Sequence, residues 1–68
     1  MSDESPTITR REVSYLIAIK EISESNGRAT LTDIAQRLNV SVPSVYEEVN
    51  HLVKKGLVKK TARSITLS

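Results

Sequence analysis

Residues 30–55 read TLTDIAQRLNVSVPSVYEEVNHLVKK and hold two helix patterns with a very short connection between them. Thr30 is a residue type that caps helix N-termini, and Asp33 stands at the third helical position, where a carboxylate favours a helix start. Apolar residues then recur at helical spacing as far as Leu38. The pattern predicts a short amphipathic helix that ends near Asn39.

The second helix pattern begins only a few residues later. Ser41 can cap it, and Pro43 falls in its first turn, where a missing backbone N–H costs no hydrogen bond. Gly56 is the residue type expected in the left-handed conformation just after a helix. We predict a helix over residues 42–55. Its expected buried stripe consists of Val45, Val49, Leu52 and Val53.

A longer helix is predicted ahead of this pair. Thr9 and Glu12 have the capping-box spacing at its start, and Gly27 is a stop signal, which together predict a helix over about residues 10–25. The expected core stripe consists of Tyr15, Ala18, Ile19 and Ile22. A second apolar stripe lies on nearly the opposite side and consists of Val13, Leu16 and Ile17. A helix that is apolar on both sides is usually covered on both.

The order of the elements predicts the fold class. Residues 57–60 and 64–67 are rich in β-branched and apolar types and predict an antiparallel hairpin after the third helix. Three helices and a hairpin form a winged helix-turn-helix, a mainly α fold whose two-stranded antiparallel wing we expect over residues 57–67. The short connection should make the last two helices cross steeply with Val40 between them. One face of the third helix is then free for a DNA major groove about 12 Å wide.

The basic residues are unevenly distributed. Residues 1–30 carry a net charge of −1, whereas residues 31–68 carry +3, with most of the excess near the end of the chain. A short basic segment on a compact domain suits a polyanion such as double-stranded DNA, and solvated surface lysines are the alternative. Four lysines fall at the helix end and the wing, where phosphates on either side of a groove would run: Lys54, Lys55, Lys59 and Lys60.

Length and composition exclude several classes of function. A chain of 68 residues has room for one small domain, which we expect over residues 9–68 behind a flexible arm at residues 1–8. Cysteine is absent and His51 is the only histidine, so we expect no metal site, no other cofactor, no enzyme and no small-molecule substrate. No apolar run is long enough to cross a membrane and no signal-peptide pattern opens the chain, so a cytoplasmic protein is expected.

Residues 32–45 and 52–58, TDIAQRLNVSVPSV and LVKKGLV, resemble the N-terminal domain of the iron- and manganese-dependent repressors, the diphtheria-toxin-repressor family. The resemblance covers roughly residues 9–68, and it implies a DNA-binding repressor. Positions matching Ser14 and Ile17 bind metal in that family, and neither residue here is a useful ligand for iron or manganese. Metal control of this chain is therefore not expected.

The resemblance also implies roles for particular residues. Ser41, Pro43 and Glu47 match positions that approach bases, and Pro43 suits a thymine methyl group while Glu47 suits a cytosine amino group or faces solvent. Ser44, Tyr46 and Arg63 match positions near the sugar-phosphate backbone. The complete set of expected DNA-binding residues is Ser41, Pro43, Ser44, Tyr46, Glu47, Asn50, Lys54, Lys59, Lys60 and Arg63.

Two other interpretations stay open from the sequence. The Val13, Leu16 and Ile17 stripe could serve a winged helix that binds protein instead of DNA, or could pair two copies of the chain as a homodimer through the first helix. The sequence alone does not decide between a piece of a longer regulator and a small complete protein. Salt dependence of duplex binding separates DNA recognition from an apolar protein contact.

Overall fold

The computed structural model describes residues 8–61 and 64–68. Its elements are α1 (Arg10–Asn26), α2 (Leu31–Leu38), α3 (Val42–Lys54), β1 (Val58–Lys60) and β2 (Ile65–Leu67). The two strands pair antiparallel, with Val58 opposite Leu67 and Lys60 opposite Ile65. This arrangement confirms the predicted winged helix-turn-helix. The expected arm lies outside the described residues except for residue 8, as does Arg63 in the predicted wing tip.

Side chains cap all three helices at the predicted positions. The Thr9 N–H donates to Glu12 Oε1 at 3.0 Å and the Glu12 N–H donates to Thr9 Oγ1 at 3.1 Å, which completes the capping box of α1. Thr30 Oγ1 accepts the Asp33 N–H at 3.1 Å at the start of α2. Ser41 caps α3 in the same way. Each cap satisfies amides that the first helical turn leaves without a partner, so the local sequence fixes where the helices begin.

A left-handed residue turns the chain between α2 and α3. Asn39 has φ 59° and ψ 48°, a conformation that asparagine tolerates better than most residues. The Val40 N–H then bonds to the Ala35 carbonyl at 3.0 Å. The prediction that Val40 packs between the two helices is wrong, because 40% of its surface is exposed. The backbone turn at Asn39, and not a buried Val40 side chain, makes the connection tight.

All three helices and both strands contribute to one core. Ile19 of α1, Ile34 of α2 and the α3 residues Val45, Val49 and Leu52 have no exposed surface. Burial of an aliphatic side chain of this size stabilises a fold by roughly 1.5–3 kcal/mol. These five side chains therefore hold α3 against α1 and α2 by its inner side and leave its other side outside the core.

Val53 does not belong to the buried stripe of α3, so that part of the prediction is wrong. Its side chain is 38% exposed, whereas the neighbouring Leu52 is fully buried. At about 100° per helical residue, Val53 lies roughly 80° around the helix from Val45, at the border of the stripe. No other described element packs over that border closely enough to bury Val53.

The wing is attached to the helical body by backbone hydrogen bonds. The Ile65 N–H donates to the Ala29 carbonyl at 2.8 Å, so β2 is bridged to the connection between α1 and α2. The strand residues Val58 and Ile65 point into the core and are only 3% and 2% exposed. Near the tip, the Thr61 N–H donates to the Ser64 carbonyl at 2.9 Å. The base of the wing is thus part of the core.

The second stripe of α1 is only partly exposed. Val13 and Ile17 have 42% and 51% of their surface open, as expected for a face without a partner within the chain. Leu16 is half-buried and packs against the core, so it does not belong to the free face. The outer patch of α1 consists of Val13 and Ile17.

Candidate DNA interface

The outer side of α3 carries most of the predicted site residues. Pro43, Ser44, Tyr46, Glu47 and Lys54 are all exposed. This follows from the sequence, because Val45, Val49 and Leu52 direct the opposite side into the core. The rest of the predicted α3 set, Ser41 at the N-cap and Asn50 near the wing, lies at the two borders of this surface, exposed and half-buried respectively. The fold therefore brings the α3 residues of the prediction onto one surface.

The N-terminal end of α3 presents small polar groups. Ser41 Oγ accepts the Ser44 N–H at 3.3 Å and donates to Ser44 Oγ at 2.9 Å. The two hydroxyls are therefore oriented by each other before any ligand arrives. Pro43 lies between them and exposes an apolar ring. Such a surface allows close approach of another molecule to the helix start, where backbone amides and the helix dipole favour negative charge.

Lys60 connects the wing to the outer side of α3. Its Nζ donates to Asn50 Oδ1 at 3.1 Å and lies 4.5 Å from the centre of the Tyr46 ring. We call Lys60, Asn50 and Tyr46 the wing latch. Sequence reasoning placed all three at the site but did not predict that they contact each other.

The other cationic residues are distributed around this latch. Lys59 and Lys54 are exposed, and neither makes an ion pair with another described residue. Lys59 lies opposite Thr66 in the hairpin. Arg63, the remaining predicted cation of the wing, lies outside the described residues. Free ammonium groups at the helix end and on the wing can bind phosphates with little loss of existing contacts.

Glu47 is the acidic residue at the centre of this surface. It is exposed and makes no hydrogen bond or ion pair with another residue among 8–61 and 64–68. A free carboxylate repels phosphates and accepts hydrogen bonds only, so it favours a partner that offers a donor, such as a cytosine amino group. Glu47 can therefore contribute selectivity but not general affinity for a polyanion.

An ion pair ties the end of α3 to the start of α1, on the other side of the helix. Lys55 Nζ lies 2.8 Å from Glu12 Oε2 and 3.0 Å from Oε1. This hydrogen bond, helped by the Thr9 amide and opposed by desolvation, lowers the pKa of Glu12 below its ordinary value of 4.5. Lys55 is thus engaged by the fold and does not belong to the exposed cationic surface. A second buried group, Tyr15, has its pKa raised by desolvation and by the nearby Glu48 carboxylate.

Comparisons with known proteins agree with this geometry. Residues 7–64 match the iron dependent repressor, N-terminal DNA binding domain. The chain belongs to this family. A hypothetical protein of Sulfolobus solfataricus has a similar structure, with a TM-score of 0.82 and 43% identity over 88% of this chain and 46% of that one.

Two further relatives of the iron-dependent repressor domain carry functional names. The IdeR protein of T. acidophilum has a TM-score of 0.79 and 34% identity over 94% of this chain and 30% of that one. An uncharacterized HTH-type transcriptional regulator of Pyrococcus horikoshii is 38% identical over 48 residues, which is 71% of this chain and 30% of the relative. The chain thus spans about a third to a half of the length of these relatives.

The family name implies iron, and the described residues do not fit an iron site. Ser14 and Ile17, the positions that the sequence resemblance assigns to early metal ligands, carry a hydroxyl group and a hydrocarbon on the outside of α1. Iron and manganese prefer imidazole and carboxylate ligands. Within residues 8–61 and 64–68 no three His, Cys, Asp or Glu side chains come together. This part of the chain therefore supplies the repressor domain without the chemistry of its metal centre.

The described residues also contain no helix that is both long and apolar enough to cross a membrane.

Proposed function

We propose that this repressor-family domain is a sequence-specific double-stranded DNA-binding transcription regulator. In this proposal α3, within residues 42–55, enters the major groove, and the wing within residues 57–67 lies on the adjacent backbone. One observation carries it. The outer side of α3 is exposed at Pro43, Glu47 and Lys54, and the cationic wing contacts it at Asn50. Such a regulator works in the cytoplasm, on the DNA it controls.

The proposed contacts divide into two groups. Ser41, Pro43 and Glu47 reach base edges, because they lie at the exposed N-terminal half of α3, the part of a recognition helix that contacts bases. Backbone contacts come from the hydroxyl, amide and cationic groups around them, namely Ser44, Tyr46, Asn50, Lys54, Lys59, Lys60 and Arg63. Phosphate contacts set affinity and orientation, whereas base contacts select sequence.

A salt titration of duplex binding tests the proposal. Each neutralised phosphate releases condensed counterions, so the logarithm of the binding constant should fall linearly with the logarithm of salt concentration, with a slope of about −0.9 per phosphate. We expect a slope of several units for any duplex and tighter binding to a selected sequence than to a scrambled duplex of equal length. Binding that does not change with salt, or that is equal for all sequences, contradicts the proposal.

A second candidate function rests on the outer patch of α1. Val13 and Ile17 are exposed neighbours on one side of this helix, and apolar side chains of this size favour a covering partner. The patch would pair two copies of the domain as a homodimer on two half-sites, or would serve a protein-binding module that does not contact DNA. Light scattering with and without duplex distinguishes these two arrangements by the mass of each complex.

A further inference from the structure

We propose that Lys60 is a positioning residue that holds the wing against the outer side of α3 and so sets how the two elements meet a duplex. The inference rests on the proposed function and assigns Asn50 and Lys60 a joint role within it. Lys60 acts through its contacts with Asn50 and Tyr46. The side chain of Asn50 therefore binds the wing even when no DNA is present.

The geometry of the wing latch carries the argument. Tyr46 and Asn50 are four residues apart, so their side chains are neighbours along one side of α3. The Lys60 ammonium reaches both, with 3.1 Å to Asn50 Oδ1 and 4.5 Å to the Tyr46 ring centre. One side chain of β1 therefore touches two successive turns of the proposed recognition helix.

The backbone of the wing directs Lys60 toward α3. Successive residues of a strand point to opposite faces, so Lys60 shares a face with the buried Val58 while Lys59 points the other way. Ile65, which pairs with Lys60, is itself buried and bonded to Ala29. The backbone of the hairpin is thus anchored in the core, and the Lys60 side chain adds a contact from the end of β1 to α3. Lys59, with the same charge one residue earlier, makes no side-chain hydrogen bond, ion pair or ring contact with another described residue and is a natural control.

The contact also limits what Asn50 can offer to a duplex. A bidentate contact with adenine uses both the carbonyl oxygen and the amide group of asparagine. Here the Lys60 ammonium occupies one of the two lone pairs of that carbonyl oxygen, and both N–H groups of the amide remain as donors. Asn50 can therefore hold the wing while its amide N–H groups still donate to a duplex. The Lys60 ammonium, with three donors, keeps hydrogen atoms free for a phosphate while it holds Asn50.

The first test needs no DNA. In the NMR spectrum of the wild-type chain, the Tyr46 ring should shift the Lys60 ε-protons upfield of those of Lys59. We expect Tyr46→Leu to remove this shift, Asn50→Leu to reduce it, and Asn50→Asp to preserve it because an acceptor remains. Lys60 ε-protons that resonate with those of Lys59 in the wild-type chain overturn the latch.

The second test is a double-mutant cycle in duplex binding. We expect Lys60→Ala and Asn50→Ala each to weaken binding, and the loss in the double variant to be smaller than the product of the two single losses, because both changes remove the shared contact. Lys59→Ala combined with Asn50→Ala is the matched control, and its losses should multiply. Circular dichroism of each variant checks that the helices are retained.

The outcomes separate this inference from the function on which it rests. Losses that multiply for Lys60 and Asn50, as they do for Lys59 and Asn50, overturn the positioning role while DNA binding stands. A wild-type chain that binds no duplex at any salt concentration overturns the proposed function and the role of Lys60 in it. In that case the NMR shift still reports whether the wing is held on α3.

Discussion

Glu12 and Lys55 join the beginning of α1 to the end of α3 although 43 residues separate them in the chain. Glu12 has two roles at once, because Oε1 also accepts the Thr9 N–H of the capping box. Glu12 is 3% exposed, and the Lys55 side chain lies against its carboxylate. The ion pair thus connects the C-terminal end of α3 to the N-terminal end of α1.

Because of the Glu12–Lys55 contact, we expect the free energy of unfolding to decrease at acid pH. Because the pKa of Glu12 is lowered on folding, its contribution is present above the ordinary value of 4.5 and is lost as the pH falls through the lower folded value. Glu12→Gln should therefore lower the melting temperature at pH 7, and the difference from wild type should shrink below about pH 4.5. Thermal unfolding at several pH values measures it. Glu24→Gln, an exposed carboxylate of the same helix, is the control and should cause little change at either pH.

Two adjacent residues of α3 should differ sharply in their effect on stability. Leu52→Ala removes a fully buried side chain and should lower the free energy of unfolding by about 2–5 kcal/mol, a large part of the stability of so small a domain. Val53→Ala, at an exposed position, should cost less than about 1 kcal/mol. Urea unfolding of both variants checks the prediction, and equal losses would mean that Val53 is packed after all.

Asn39 should be replaceable by glycine but not by alanine. Its φ of 59° lies in the left-handed region, where a Cβ without a polar side chain costs roughly 1–2 kcal/mol. Asn39→Ala should lower the free energy of unfolding by about that amount, whereas Asn39→Gly should leave it close to the wild-type value. The melting curves of the two variants test this prediction. Strain in the left-handed backbone is the effect that would make the alanine variant less stable than the glycine variant.

Variants of the proposed DNA interface should fall into two groups. Arg63→Ala and Lys60→Ala should weaken binding to every duplex and flatten the salt slope by about one unit each. Pro43→Ala and Glu47→Ala should change the preference among sequences, by about 1–3 kcal/mol at the affected base pair. Fluorescence anisotropy with a panel of duplexes measures both effects. Identical behaviour of all four variants would contradict the assigned roles.

The outer patch of α1 should control self-association if it pairs two copies. We expect sedimentation of the wild-type chain to show a concentration-dependent dimer, and Ile17→Ser to shift it to monomer because an exposed apolar contact is removed. Gln36→Ser, a change at an exposed polar position of α2, should leave the dimer intact. A wild-type monomer at every concentration, both alone and on DNA, would rule out this interface.

Local sequence signals predicted most of the fold, for a physical reason. The caps at Thr9, Thr30 and Ser41 and the left-handed residue at Gly56 depend on neighbours within a few positions, and all are present in the structure. Helical periodicity identified the core side of α3 correctly except at Val53, which is exposed. Val53 lies at the border of the buried stripe, where burial depends on whether another element packs over the side chain.

Contacts between distant side chains could not be predicted in the same way. Nothing near Lys55 in the sequence indicates Glu12, and nothing near Lys60 indicates Asn50, because these pairs form only after the helices and the wing have packed. Their residue types were recognised as surface charge or as DNA contacts. The roles of the individual site residues stay predictions, since they depend on a partner and not on the fold alone.

The bridge between Ala29 and Ile65 separates the root of the wing from its tip. Changes in the number or type of residues between Lys60 and Ser64 alter the reach of the hairpin, while its root stays tied to the junction of α1 and α2. The tip can therefore diverge in length and sequence without loosening the scaffold. Under the proposed function, such changes would alter the phosphate contacts of the wing and leave the base contacts of α3 in place.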